Sequence, residues 1–115
     1  MTINDFLHKL HYEADAIEFN DTMAVIDENY HFQVTAFKNG SLLNEEGENS
    51  GSCKLFAFAQ LQQLSQQQTL DCFGTYYRVD VVNHPEADNH QNIRNFMRYS
   101  WSGIEFAAMP LSAKK

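Results

Sequence analysis

Ile3, Phe6, Leu7 and Leu10 recur at the spacing of one helical face, and Thr2 followed by Asp5 supplies a cap, so an amphipathic helix opens the chain. Phe19-Asn20-Asp21-Thr22 places capping groups ahead of Met23, Ile26 and Tyr30, again at helical spacing, and predicts a second helix. From Tyr30 to Phe37 the period switches to two. Phe32, Val34 and Ala36 fall on one face, and Lys38-Asn39-Gly40 offers a turn into a hairpin with Ser41 to Leu43. Asn44 to Ser52, with Gly47 and Gly51, reads as a polar, acidic loop.

Ser52 then caps a helix from Cys53 to Leu64, whose Leu55, Phe56, Phe58, Ala59 and Leu61 leave few polar positions, so this element belongs at the centre. Ser65 with Gln68 forms a capping box, and Leu70, Phe73 and Tyr77 mark the inner face of a helix ending near Arg78. Val79, Val81 and Val82 suggest a brief strand. Asn83 to Asn89, interrupted by Pro85, is a loop in which Asp88 or Asn89 can cap a last helix carrying Ile93, Phe96 and Met97. Gly103 follows that helix, and Ile104 and Phe106 alternate as a short strand. Helices and strands do not alternate regularly. The pattern predicts one α+β domain over residues 1–115, with about five helices around a small, mostly antiparallel and strongly curved sheet.

Composition sharpens this picture. At 115 residues, 43% hydrophobic and 13% aromatic, the chain has enough packing groups for one core, and no apolar run approaches the ~18 residues that span a bilayer. It lacks the start of an export signal, so a soluble cytoplasmic protein is expected. The net charge of -7 is uneven: residues 1–52 hold ten acids against Lys9 and Lys38, while residues 53–115 hold five acids against six bases. An acidic front half repels phosphate backbones, which argues against nucleic acid as a partner. Arg78, Arg94 and Arg98 are expected to be solvated or paired with Asp71 and Asp80 rather than to form an anion site. Cys53 and Cys72 sit among large apolar neighbours and are expected as buried, reduced thiols.

Three constellations bear on chemistry. Gly47 to Ser52 leads into a helix as a phosphate loop would, but three glutamates surround it and no lysine closes it, so a surface loop is preferred. His84 and His90 are the candidate metal ligands, although their spacing across Pro85 is not that of a helix-borne pair and no metal or cofactor is expected. Cys53 at a helix start is the candidate nucleophile, with His90 as base and Asp80 or Asn92 orienting it. The apolar setting opposes this by making the thiol inert. Trp101, Tyr76, Tyr77 and Tyr99 are candidates for a contact surface.

Three ordered blocks, Gly51 to Gln60, Thr69 to Arg78 and Asn92 to Met97, resemble the HopJ type III effector family. Asp21 to Asp27, Phe37 to Gly40 and Trp101 to Ile104 extend the resemblance over nearly the whole chain. Val34 stands in place of an expected proline and Asn89 in place of an expected aspartate. The resemblance implies injection into a eukaryotic host, but no reaction or cofactor. The apolar face at Ile3 to Leu10 points instead to a resident bacterial protein of the cytoplasm. A protein that binds a protein partner is therefore expected, through Asn49 and Ser52 on one loop and His84, His90, Asn92 and Arg94 on another. The alternative is a small enzyme using Cys53 with His90, or a metal on His84 and His90.

Overall fold

A computed structural model describes residues 1–114. Helix α1 (Ile3–Tyr12) is capped by Thr2, whose hydroxyl accepts from the Asp5 amide at 3.0 Å, and it buries Phe6 and Leu10. Helix α2 (Phe19–Asn29) already contains the Phe19 to Thr22 stretch that its sequence offers as capping groups, and starts on a capping box between Glu18 and Asp21. It ends before Tyr30, which belongs to strand β1 (Tyr30–Phe32). Strands β2 (Phe37–Asn39) and β3 (Leu42–Asn44) form the hairpin, followed by α3 (Ser50–Leu61) and α4 (Gln66–Asp71). A π-helical segment (Tyr76–Val81), α5 (Gln91–Tyr99), β4 (Ile104–Phe106) and β5 (Leu111–Ala113) complete the chain. Among the described residues this is an α+β fold of five α-helices around two small antiparallel sheets.

The expected single, strongly curved sheet is instead two sheets. One pairs β1 with β5, the other runs β3-β2-β4, and neither closes on itself. The stretch read as one strand breaks after Phe32. Gln33 donates to Pro110 O and the Thr35 hydroxyl donates to Gln33 O, which bends the backbone between the sheets. The inward face is also offset by one residue: Thr35, Phe37 and Asn39 are buried, while Val34 is 42% exposed. A one-residue shift exchanges the two faces of a strand, and two of the inward residues here are polar, so apolar periodicity does not mark them. The turn is Gly40-Ser41, with Gly40 at φ 64.

Val79, Val81 and Val82 lie in the π-helical segment or just beyond it rather than in a strand. Val82 N donates to Tyr77 O, five residues back, and only Val81 of the three is buried. The segment is anchored by Arg78, which donates to Ala14 O and Ile17 O and pairs with Glu18 at 3.2 Å, not with Asp71 or Asp80. Gly74, at φ 64, allows this approach, because a Cβ there would stand 2.7 Å from Glu18 Cα.

As expected, α3 is the central element, burying Cys53, Leu55, Phe56, Ala57, Phe58 and Ala59. Phe56 is the aromatic hub: its ring lies 5.0 Å from Phe96, 5.5 Å from Phe73, 6.2 Å from Phe37 and 6.5 Å from Trp101 between centroids. It thereby joins α3, α5, the three-stranded sheet and the turn after α4. Replacing Phe56 with Ala should cost about 3–5 kcal/mol of unfolding free energy. Urea unfolding followed by the fluorescence of Trp101 measures this directly, and a loss below about 1 kcal/mol would mean that the hub is not the keystone of the core.

Candidate functional site

The N-termini of α3 and α5 meet across a cleft of about 340 Å³. Phe19, Phe73 and Tyr76 give it aromatic walls, and Asn49, Ser52, His90, Gln91 and Asn92 give it polar ones. Phe19 stacks on Phe73 at 6.0 Å and meets Tyr76 edge-on at 5.4 Å, while Tyr76 lies 5.2 Å from the His90 ring. Gly51 lets the first turn of α3 rest on this wall, since a Cβ there would come 2.8 Å from Phe19 Cζ.

Both helices begin in the same unusual way. Asn49 and His90 occupy the N-cap positions with φ of 51° and 52°, in the left-handed region. Neither side chain bonds its own first turn, so the opening amides of each helix are not capped from within. The left-handed region disfavours side chains, least severely for Asn and His, and persists where surrounding contacts hold it. For His90 one such contact is Asp80, with Nε2 3.1 Å from Oδ2. That carboxylate fixes the ring's orientation, leaving an imidazole held at the cleft wall that can exchange protons or hydrogen bonds with a visitor.

Asn49 leads inward to a chain of buried amides. Its Nδ2 donates to Asn44 Oδ1 at 2.7 Å, which also accepts from Asn92 Nδ2 at 3.0 Å. Asn39 Nδ2 donates to Asn92 O at 2.7 Å and to Asn92 Oδ1 at 3.0 Å, and Asn44 Nδ2 reaches the same Oδ1 at 3.3 Å. Asn39 Oδ1 is buried with no partner among the described residues. The sequence pattern places Asn39 in a turn and Asn44 in a loop, whereas both are buried strand residues. Their only signal was an amide at an inward strand position.

The structure brings Asn49, Ser52, His90 and Asn92 together and leaves His84 and Arg94 outside the cleft lining. His84 is exposed. Arg94 braces the loop, donating to Asn89 O, Asn89 Oδ1 and Pro85 O. His90, rather than Asp88 or Asn89, occupies the N-cap position of α5, and Asn49, rather than Ser52, that of α3. No group of three or more His, Cys, Asp or Glu side chains among the described residues is placed to hold a metal ion.

The thiol reading fares differently from the imidazole one. Cys53 is 1% exposed, its sulfur lies 3.8 Å from Thr35 O, and burial pushes its pKa from 9.0 up to about 11. It forms no hydrogen bond to an imidazole among the described residues, so the anticipated Cys53–His90 pair is not assembled here. Cys72 is fully buried and is pushed up to about 12, chiefly by burial, with the neighbouring Asp71 charge adding to it. Both cysteines are free thiols.

The model of the family described as HopJ type III effector protein matches residues 3–111. The chain is also similar to a crystal structure of a protein of unknown function, VPA0580, at 51% identity and a TM-score of 0.97, covering 99% of this chain and 95% of that one. No curated protein matches significantly.

Substituting Asn92 by Leu should keep the volume but strand the amides of Asn39 and Asn44, at a cost of about 2–4 kcal/mol in urea unfolding. The thiols predict a pH dependence. Their protons leave the unfolded chain near 9.0 and the folded chain only near 11 and 12, so this contribution is complete below pH 9 and declines above it. A Cys53→Ala/Cys72→Ala variant should show a shallower loss of stability between about pH 8.5 and 10.5 than the unaltered chain. Equal slopes in pH-dependent urea unfolding would contradict the assignment.

Proposed function

The chain belongs to the HopJ type III effector protein family, and from that premise we propose that it works by binding a protein partner rather than by catalysis, with the cleft between α3 and α5 as the recognition site. The observation that carries this is the paired left-handed N-caps, which hold Asn49 and His90 at one cleft from two separate loops. Backbone conformations of this kind recur where binding geometry is set in advance. The cleft lies at the low end of the size range of small-ligand sites, so it suits a projecting side chain of a partner rather than a whole cofactor. Uncapped helix starts and the Ser52 hydroxyl favour a group rich in acceptor oxygens.

We place this activity in the bacterial cytoplasm. Phe6 and Leu10, both buried, commit the first helix to the core, which supports a resident protein over a pliable secreted one. No helix among the described residues is long and apolar enough to cross a membrane.

A second reading rests on the Asp80–His90 pair, in which an oriented imidazole acts as a base beside Ser52 in a small enzyme. The two readings separate experimentally. Asn49→Gly with His90→Gly removes both side chains but suits the left-handed backbone, which offsets part of the lost Asn49–Asn44 and His90–Asp80 hydrogen bonds, so the variant should stay folded with a loss of about 1–2 kcal/mol in urea unfolding. Affinity capture from bacterial lysate should recover a partner with the parent chain and about tenfold less with the variant. Equal recovery would remove the cleft from recognition, and turnover of ester or amide probes abolished by Asp80→Asn would favour the enzyme.

A further inference from the structure

A second concavity, a groove of about 520 Å³, runs between α5 and the Tyr76–Val81 segment, apart from the cleft above. Tyr77, Val81, Val82 and Met97 make most of its apolar lining, and Arg94 and Arg98 are its charged members among the described residues. Val82 and Met97 are 49% and 42% exposed, so apolar surface is open to solvent here.

The two arginines are unusual for this chain, which carries 15 acids against eight lysines and arginines. The carboxylates close to a cation among the described residues are Glu28, Asp27, Glu18 and Asp80, and their partners are the N-terminal amine, Lys54, Arg78 and His90. Among the described residues neither Arg94 nor Arg98 has a carboxylate within ion-pair distance. Arg94 is held instead by the neutral oxygens of Asn89 and Pro85, which orders its guanidinium without neutralising it. Arg98 is exposed, its guanidinium 5.7 Å from the Tyr99 ring centre. Glu86 and Asp88 lie on the exposed loop and do not line the groove, and Asp80 is engaged with His90.

We propose that this groove docks an acidic amphipathic helix of a protein partner. Its apolar lining accepts the side chains that such a helix presents three and four residues apart, and carboxylates one turn apart face Arg94 and Arg98, themselves one turn apart on α5. Two guanidiniums without a carboxylate partner among the described residues make the groove locally positive on a chain of net charge -7, and this local complementarity selects an acidic occupant. The groove is open along its length, unlike the enclosed cavities that bury most of a small amphiphile. This inference does not rest on the reading of the cleft.

The test is selection from a displayed library of random peptides about sixteen residues long, long enough for a docked helix. Enriched peptides should combine apolar residues at helical spacing with Asp or Glu one turn apart. They should bind about tenfold more weakly to Arg98→Glu and to Val82→Asp, both exposed positions that leave the core untouched, and as tightly to Asn49→Gly. Peptides with Lys in place of the acids should recover binding to Arg98→Glu. Absence of acid enrichment, or affinity indifferent to both groove variants, overturns the proposal. So does a dimer in sedimentation that Val82→Asp dissolves, or binding of decanoate that Arg98→Glu abolishes where no peptide binds.

Discussion

Leaving a buried amide unpaired costs free energy, and in this fold the hydrogen bonds that avoid that cost fix three elements against one another. Asn92, at the first turn of α5, meets Asn39 on β2 and Asn44 on β3 only when hairpin register and helix position agree. Apolar contacts tolerate sliding, whereas a hydrogen-bonded cluster in a low-dielectric interior has one low-energy arrangement. Asn95 adds to this by donating to Asn39 O at 2.8 Å. The same cluster reaches the surface through Asn49, so the geometry of the cleft is inherited from the interior rather than set by the loops alone.

Against this directional constraint, Phe56 and its neighbours supply the bulk of the driving force. Large rings around one central helix bury apolar area with few degrees of freedom, which allows a chain of this size to do without a disulfide. Trp101 closes the cluster and satisfies its own polar atom by donating from Nε1 to Leu64 O at 3.1 Å. Packing and polar pairing therefore divide the work: the aromatic cluster holds the layers together, and the asparagines choose their register.

That division explains what could be read in the sequence. Elements with a strong apolar period or a side-chain cap, α1 with Thr2, α3 with its buried run and the start of α4 with Ser65 and Gln68, were legible, whereas α4 ends at Asp71 rather than near Arg78. Of the six residues that two polar loops beside helix starts suggest, Asn49, Ser52, His90 and Asn92 line one cleft, and His84 and Arg94 do not. The misplaced features share one cause. Thr35 and Asn39 are polar residues in buried strand positions, and Val34 is an apolar residue in an exposed one, so the pattern points to the wrong face. β5 escapes because Leu111-Ser112-Ala113 is too short to show a period and gains its identity only by pairing with β1. The π-helical turn escapes because β-branched valines mimic a strand, whereas the segment is a wide i→i+5 turn that Arg78 anchors on Ile17 O and Gly74 lets approach Glu18.

Helix α5 borders both the cleft and the groove, and this constrains how the molecule can respond to a contact at either. Its N-terminus enters the cleft through His90 and Asn92, while Arg94, Met97 and Arg98 face the groove. Its C-terminal end is tied to α4 by Gln66, which donates to Phe96 O and Met97 O at 3.0 Å each. A helix bonded at both ends and packed on Phe56 through Phe96 does not shift at one end alone without breaking buried hydrogen bonds. The two surfaces are thus rigidly related, and a partner that engages both gains from a spacing built into the unbound fold, with little ordering cost on this side of the interface.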